Sequence, residues 1–293
     1  MKYKGIVLFV VAATILATVA QAQKLVPPRV AHPSADTPSI NVKGDYVPPS
    51  TTTCSHTFSV PGPLNSFLSY CVTANGNIAS LQGPTGFDYV AQGTVGEGYG
   101  VCDLSTGTSY FDWAYTDSGN WGAPVLLSST TSAVKIARTT SDGLWTLTQT
   151  IAKQTGAQPY AKITMALKNN SGITKDAYLV RYADVDPANA PSTDSTFVES
   201  FDSSQYSAWG YEALNNSGGE PPLGLMIEEI GQPNVPYGFE GLDQNTSAGP
   251  NPCNPTANYG GYQASVDGSV EFLWLLELTA EKTGTVNAKY ETF

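Results

Sequence analysis

VKIARTTSDGLWTLTQTI, residues 134–151, contains the clearest structural pattern of the chain. The Asp142–Gly143 pair near its middle tolerates the positive φ angles of a tight hairpin turn. After the turn, Trp145, Leu147 and Ile151 alternate with threonines, so one face of the strand is apolar and the other polar. The stretch predicts an antiparallel β-hairpin with one buried face and one solvated face.

The same signals recur on both sides of this hairpin. Asn75–Gly76 separates two apolar runs, Asp267–Gly268 precedes another, and Ile163, Met165 and Leu167 repeat the alternation. By contrast, Phe272–Leu276 is apolar on both faces, which predicts a central strand covered on both sides. From residue 54 onward we therefore predict an all-β fold, a large two-sheet antiparallel β-sandwich.

The N-terminal residues predict export. Lys2 and Lys4 precede an apolar run that ends at a small-x-small cleavage site, so residues 1–22 are interpreted as a signal peptide. Residues 23–53 are rich in proline and predict an extended leader, either a spacer or a strand donated to a partner. Residues 54–293 are expected to form one domain. Removing residues 1–22 takes away two lysines and no acid, which changes the formal charge from −11 to −13.

Composition excludes several classes of partner. With 14 Lys plus Arg against 25 Asp plus Glu, the chain lacks the positive field that nucleic acids or anionic membranes require. After the signal peptide we expect no membrane span, because no apolar run approaches the roughly 20 residues needed. We expect a secreted or periplasmic protein.

Four cysteines in an exported chain predict two disulfides. We favour Cys54–Cys71, which flank a short segment suited to adjacent strands, and Cys102–Cys253, which would join an early strand to a late loop. A zinc site is disfavoured because no Cys-x-x-Cys spacing occurs.

Strand order supports a resemblance to a known fold type. Leu144–Ile151, Lys162–Gly172 and Ala177–Asp186 form successive strands, the second ending in an Asn-Asn-Ser-Gly turn. This order resembles the large supersandwich β-domains of galactose mutarotase-like proteins and polysaccharide-acting enzymes. The mutarotase-like members use histidines with a carboxylate, whereas this chain has no histidine after His56. The resemblance therefore implies the fold more than that activity.

Candidate catalytic residues are carboxylates, because a Ser-His-Asp triad would have to use His56 and no other hydrolase motif occurs. Period two places Tyr182, Asp184 and Asp186 on one face of a strand and Arg181 on the other. Asp184 or Asp186 would act with a second carboxylate, and the alternatives are Glu97, Asp112 and Glu212.

Two other roles remain open for the same acids. Asp184, Asp186 and Asp194 offer hard oxygen ligands that suit Ca²⁺, although their spacing is not that of an EF-hand loop. Alternatively, the pair ends a strand and caps the turn into Pro187.

Aromatic residues give the second positive signal. Trp121, Trp209 and Tyr211 lie among Gly, Asn and Ser, and with Asp112 they are candidate ligand-binding residues. Flat aromatic faces beside polar groups suit sugars, which present apolar ring faces and a rim of hydroxyls. The remaining large aromatics are assigned to the core: Trp113, Trp145 and Trp274.

Three functional hypotheses follow. The first is a non-catalytic exported protein that binds a glycan or another cell-surface polymer through loop aromatics and carboxylates. The second is a carbohydrate-active enzyme, either a hydrolase with two carboxylates or a lyase with a tyrosine and Arg181; its candidate residues are Asp184, Asp186, Arg181 and Glu212. The third is a structural or adhesion subunit whose leader docks on a neighbour's sheet edge.

Overall fold

The structure is a computed structural model of the 293-residue chain. It describes residues 53–62, 67–83, 88–90, 95–156, 158–185, 197–202, 207–212, 223–231, 237–244, 250–254, 263–264 and 268–293. The predicted signal peptide and nearly all of the leader lie outside these residues, as do Asp186, Asp194 and the Asp267 turn position.

The described residues form β-strands and no helix. No helix in this part of the chain is therefore long and apolar enough to cross a membrane. The strands are β1 (Cys54–Pro61), β2 (Phe67–Thr73), β3 (Ile78–Gln82), β4 (Glu97–Asp103), β5 (Thr108–Asp112), β6 (Val125–Ser129), β7 (Ala133–Thr139), β8 (Trp145–Gln154), β9 (Tyr160–Asn169), β10 (Lys175–Asp184), β11 (Phe197–Asp202), β12 (Ser207–Glu212), β13 (Leu223–Glu229), β14 (Tyr237–Gln244), β15 (Gln263–Ala264), β16 (Gly268–Leu278) and β17 (Thr283–Thr292).

These strands form three antiparallel sheets. The nine-stranded sheet has the order β15-β11-β12-β13-β17-β9-β8-β7-β6, and the five-stranded sheet has the order β14-β16-β10-β4-β5. The third is the small sheet β1-β2-β3. In both large sheets a C-terminal strand is central: β16 joins β14 to β10, and β17 joins β13 to β9. The predicted all-β sandwich is confirmed, and so is the central position of Phe272–Leu276.

The predicted hairpins form around glycines with positive φ. Gly143 has φ 76° between β7 and β8, where Asp142 Oδ1 accepts hydrogen bonds from Thr140 Oγ1 at 2.6 Å and from the Leu144 amide at 3.0 Å. Gly76 has φ 92° between β2 and β3. Glycine adopts this region at no steric cost, which explains why both turns occur where the sequence predicts them.

The main core lies between the two large sheets. The nine-stranded sheet contributes Leu147, Ile151 and Ile163, and the five-stranded sheet contributes Leu179 and Phe272. Burying each such side chain stabilises the fold by about 1.5–3 kcal/mol. The predicted core tryptophans are fully buried, namely Trp113, Trp145 and Trp274.

Charged groups are also buried between these sheets. Arg181 and Glu97 are both fully buried and form an ion pair. Lys175 Nζ lies 2.7 Å from Asp103 Oδ2, which also accepts a hydrogen bond from Trp145 Nε1 at 3.3 Å. Such groups are tolerated only when paired, so each pair fixes the relative position of the strands that carry it.

Two disulfides join the cysteines in the pairs favoured by the sequence. Cys54 and Cys71 have Cα atoms 5.4 Å apart and link β1 to β2. Cys102 and Cys253 have Cα atoms 4.9 Å apart and attach the turn at residues 250–254 to β4. Two disulfides are typical of an extracellular or periplasmic protein.

Candidate functional site

The outer face of the nine-stranded sheet carries different kinds of side chains on different strands. On β8 and β9 it is polar: Thr146, Thr148, Thr150, Lys162, Thr164 and Lys168 are half-buried and alternate with core residues. On β12, β13 and β17 the same face carries aromatic and sulfur-containing side chains as well as charges. Among the described side chains of this face, the second part, together with Tyr160 at the start of β9, offers the combination of ring faces and hydrogen-bonding groups that a ligand surface requires.

A row of four side chains crosses the strands in this part. Trp209 on β12 pairs with Met226 on β13, Met226 pairs with Glu291 on β17, and Glu291 pairs with Tyr160 on β9. All four are half-buried, while Ala208, next to Trp209, is fully buried in the core. Because successive residues of a strand point to opposite faces, the row lies on the outer face. We call Trp209, Met226, Glu291 and Tyr160 the outer aromatic row; its three strand spacings span about 14 Å.

Tyr211 and Phe293 extend this row with a second pair of rings. Their ring centroids lie 6.3 Å apart, and Phe293 is 43% exposed. Gly224 pairs with Tyr211, and a Cβ added to Gly224 would lie only 2.3 Å from the Phe293 ring. Glycine at this position therefore leaves room for the Phe293 ring beside Tyr211.

Charges border the outer aromatic row. Lys289 Nζ lies 2.7 Å from Glu291 Oε2 and 3.1 Å from Glu228 Oε2, and 5.5 Å from the centre of the Tyr160 ring. Burial alone would lower the pKa of Lys289, but hydrogen bonds to Glu291 and Glu228 raise it overall. Lys289 therefore presents a fixed positive donor, and the two glutamates present acceptors, next to the aromatic rings.

The outer face of the five-stranded sheet holds a different cluster. Across β10 and β16, Tyr178 pairs with Leu275, Val180 with Leu273, Tyr182 with Glu271, and Asp184 with Ser269. Trp113 packs on this face, with its ring centroid 5.3 Å from that of Tyr182 and 5.6 Å from that of Phe111. Phe111, Tyr178 and Leu275 are partly exposed, whereas Val180, Tyr182 and Leu273 are buried.

Glycines on β4 create room for this cluster. A Cβ on Gly100 would lie 2.3 Å from Pro252 Cγ and 3.0 Å from the Trp113 ring, and one on Gly98 would lie 1.8 Å from the backbone oxygen of Asp112. The Cys102–Cys253 disulfide is on the same face, so it holds Pro252 against Gly100. The disulfide thus fixes a turn on the outer face of the five-stranded sheet.

Two carboxylates share this outer face. Asp184 and Glu271 are 3% and 1% exposed and lie on neighbouring strands, displaced by two residue pairs along the ladder. Diagonal neighbours of this kind are about 7–8 Å apart. Sequence reasoning paired Asp184 with Glu97, Asp112 or Glu212 and missed Glu271. The signal was an acid inside the otherwise apolar run Val270–Leu276.

The predicted ligand-binding residues divide into two groups. Trp209 and Tyr211 lie together on the outer face of the nine-stranded sheet, although on strand β12 and not in a loop. Trp121 is only 8% exposed and packs edge-on against Tyr99 and Tyr110, with the Arg138 guanidinium 5.6 Å from its ring centre.

Asp112 is 2% exposed and its Oδ2 accepts a hydrogen bond from Arg138 Nη1 at 2.6 Å. Burial raises the pKa of Asp112, and the Arg138 charge opposes that rise. Trp121 and Asp112 therefore hold the interior together and do not lie on a ligand-facing surface. The polar neighbours of Trp121 resemble a loop, but its backbone forms an isolated β-bridge with Thr140 and its side chain is buried.

Of the predicted catalytic residues, the structure describes the side chains of Asp184 and Arg181, which point to opposite faces of β10. Asp184 is on the outer face of the five-stranded sheet, whereas Arg181 faces the interior and is committed to Glu97. Glu212 belongs to β12 in the other large sheet, and its side chain is not described, like Asp186 and Asp194. Within the described residues no three His, Cys, Asp or Glu side chains are grouped to hold a metal ion. The calcium hypothesis remains untested.

No protein-family model and no curated protein matches this chain. Solved structures do resemble it at low identity. A bacterial glucoamylase complexed with acarbose is 10% identical with a TM-score of 0.47, and the match covers 82% of this chain but 32% of that one. A galactose mutarotase-related enzyme from Lactobacillus acidophilus is 8% identical, with a TM-score of 0.46 and 81% and 97% coverage.

A galactose mutarotase-like protein from Lactobacillus casei is 8% identical, with a TM-score of 0.45, and the match covers 81% of this chain and 100% of that one. These likenesses agree with the weak resemblance to the galactose mutarotase-like fold type. They concern the fold alone.

Proposed function

We propose that this protein binds a neutral glycan, without acting on it, on the outer face of its nine-stranded sheet. The observation that carries the proposal is the outer aromatic row, with Tyr211 and Phe293 beside it. Rings at the two ends of the row and hydrogen-bonding charges between them match the alternation of apolar ring faces and hydroxyls along a sugar chain.

Charge narrows the class of glycan. The formal charge of the chain is −11, and two of the three charged groups in or next to the row are the glutamates Glu291 and Glu228. Like-charge repulsion opposes the binding of a sulfated or uronic-acid polymer. A neutral polysaccharide avoids this cost and still uses Lys289 as a donor.

The proposal includes the division of the chain that the sequence predicts. Residues 1–22 direct export and are removed, residues 23–53 form the leader, and residues 54–293 form the binding domain. On this proposal the protein meets its glycan outside the cell or in the periplasm.

We expect Trp209→Ala to weaken glycan binding at least tenfold, about 1.4 kcal/mol, because it removes the largest ring of the row. Affinity gel electrophoresis against neutral polysaccharides would measure the change. Tyr178→Ala is the matched control, since it removes a half-exposed ring from the outer face of the other sheet. Unchanged retardation in Trp209→Ala, with loss in Tyr178→Ala, would move the site to the five-stranded sheet and contradict the proposal.

A second function is favoured by one observation, the presence of Asp184 and Glu271 on one face at a diagonal spacing. An inverting glycoside hydrolase needs two carboxylates with room between them for the attacking water, and two acids on one face of neighbouring strands are one way to provide such a pair. This alternative predicts sugar release from a polysaccharide panel, reduced about a hundredfold or more in both Asp184→Asn and Glu271→Gln. Release that survives both substitutions, or no release from any polysaccharide, would remove it.

A further inference from the structure

Strand β6 presents an apolar strip at one end of the nine-stranded sheet. Among the described strands β6 pairs with β7 alone, and all five of its residues are exposed. Val125, Leu126 and Leu127 are 56%, 55% and 50% exposed, half of the six exposed large apolar side chains in the described part of the chain. A bulge leaves Leu127 without a partner in β7.

This edge lacks the usual protection of an edge strand. Native sheets place charges or prolines on exposed edges, or cover them, because unpaired backbone groups recruit other strands. Val125–Ser129 contains neither a charge nor a proline. Its apolar side chains are consecutive and therefore face both sides of the strand, so an added strand would gain contacts on either face.

The first described strand, β1, lies beside one end of this strip. His56 on β1 has its Nδ1 atom 3.3 Å from Ser129 Oγ, the last residue of β6. The described part of the chain begins at Thr53, three residues before His56, and 52 residues precede it. From Val47 to Thr53 the chain can span about 20 Å, enough to return along a five-residue strand.

One window of that segment has the sequence of a strand. Ser39–Val47 is the longest stretch without proline between residue 23 and residue 53. Within it Ile40, Val42 and Tyr46 fall on one face, and the residues between them are polar apart from Gly44. Proline removes a backbone donor, so this is the part of the leader best able to pair with a sheet edge.

We propose that Ser39–Val47 pairs with the free edge of β6 in the same chain, as an additional strand of the nine-stranded sheet. A second copy of the protein is a poorer occupant, because three exposed side chains fall far short of the roughly 1,000 Å² that a stable interface buries. A tethered segment has a high effective concentration and avoids most of the entropic cost of association. The leader then caps the sheet and is not a spacer.

Hydrogen exchange in the full exported chain tests the assignment. The double substitution Asn41→Pro and Val42→Pro removes consecutive donors, one of which faces β6 whichever register forms. We expect β6 amides to exchange at least tenfold faster in this variant. The matched control, Ser34→Pro with Ala35→Pro, introduces the same residues outside the window and is expected to leave β6 exchange unchanged. Equal exchange in the wild type and the first variant would overturn the proposal.

Two further measurements separate the possible occupants. Leu126→Lys places a charge at a position that is already 55% exposed. We expect the amides of residues 40–46 to lose their protection from hydrogen exchange in this variant, while the core amides stay protected. Failure to release them would contradict the pairing. Protection of β6 that falls on hundredfold dilution would assign the edge to a second copy and overturn the same-chain proposal; protection independent of concentration supports it.

Discussion

Replacing Arg181 with methionine is expected to lower the free energy of unfolding by about 3–5 kcal/mol, because it leaves Glu97 as a buried carboxylate without its counter-charge. Both residues are fully buried between the large sheets. Arg181 Nη1 also donates to Gln149 Oε1 at 2.6 Å, so the same change removes a second hydrogen bond. Burial already raises the pKa of Glu97, with Arg181 opposing the rise. Loss of the arginine is expected to raise it further.

Urea unfolding of the single and double variants would measure this effect. In the double variant Arg181→Met with Glu97→Gln, the buried charge is gone, while an amide oxygen remains to accept from the Ile78 amide or the Tyr290 hydroxyl. We expect the double variant to be more stable than the single one. A double variant that loses the sum of both single effects would show that the two groups act independently, against the structure.

An exposed ion pair provides the control for this experiment. Lys168 Nζ lies 2.7 Å from Glu281 Oε2, and their side chains are 41% and 58% exposed. Solvent screening reduces the value of such a pair, so Lys168→Met should change stability by less than about 1 kcal/mol. A loss under 1 kcal/mol for Arg181→Met as well would contradict the distinction between buried and exposed charge.

Removing the Cys102–Cys253 disulfide is expected to have the second large effect. The bond closes a sequence separation of 151 residues, against 17 for Cys54–Cys71. Loop-closure entropy grows with loop length, which predicts a loss of roughly 4–5 kcal/mol for the long loop and about 3 kcal/mol for the short one. We therefore expect Cys102→Ala with Cys253→Ala to destabilise the protein more than Cys54→Ala with Cys71→Ala.

Hydrogen exchange adds a local measure to the unfolding curves. Without the Cys102–Cys253 bond only packing holds Pro252 against Gly100, so the amides of residues 250–254 should exchange faster. The Cys54–Cys71 variant should leave them unchanged. If the short-loop variant is the less stable of the two, or if residues 250–254 keep their protection in the long-loop variant, the role assigned to this disulfide is wrong.

The elements of the fold were predictable because their signals are local. Trp145 and Leu147 alternate with threonines within one strand, and Gly76 and Gly143 mark turns by their own φ requirements. The same period of two predicts that Arg181 and Asp184 point to opposite faces of their strand, and the structure agrees. What the sequence left open at Arg181 was its partner, Glu97, which lies 84 positions away.

The candidate site was predictable only in part, because it depends on which strands are neighbours. Trp209 and Tyr160 share the outer aromatic row because the sheet order is β12-β13-β17-β9, which no local pattern specifies. Trp121 has loop-like neighbours in sequence, but Tyr99 and Tyr110 enclose it from β4 and β5. Glu271 was missed because a single acid within an apolar strand does not indicate a site by itself. It becomes a candidate only when the pairing of β10 with β16 places it near Asp184.

The central position of the two C-terminal strands has a consequence for biosynthesis. β16 and β17 occupy residues 268–292, yet each joins two parts of a large sheet. Neither sheet can be completed until residues 268–292 have been synthesised, so both sheets wait for strands that follow their partner strands in the chain. These long-range pairings also make folding slow, on the order of milliseconds to seconds, during which unpaired strand edges are exposed to aggregation.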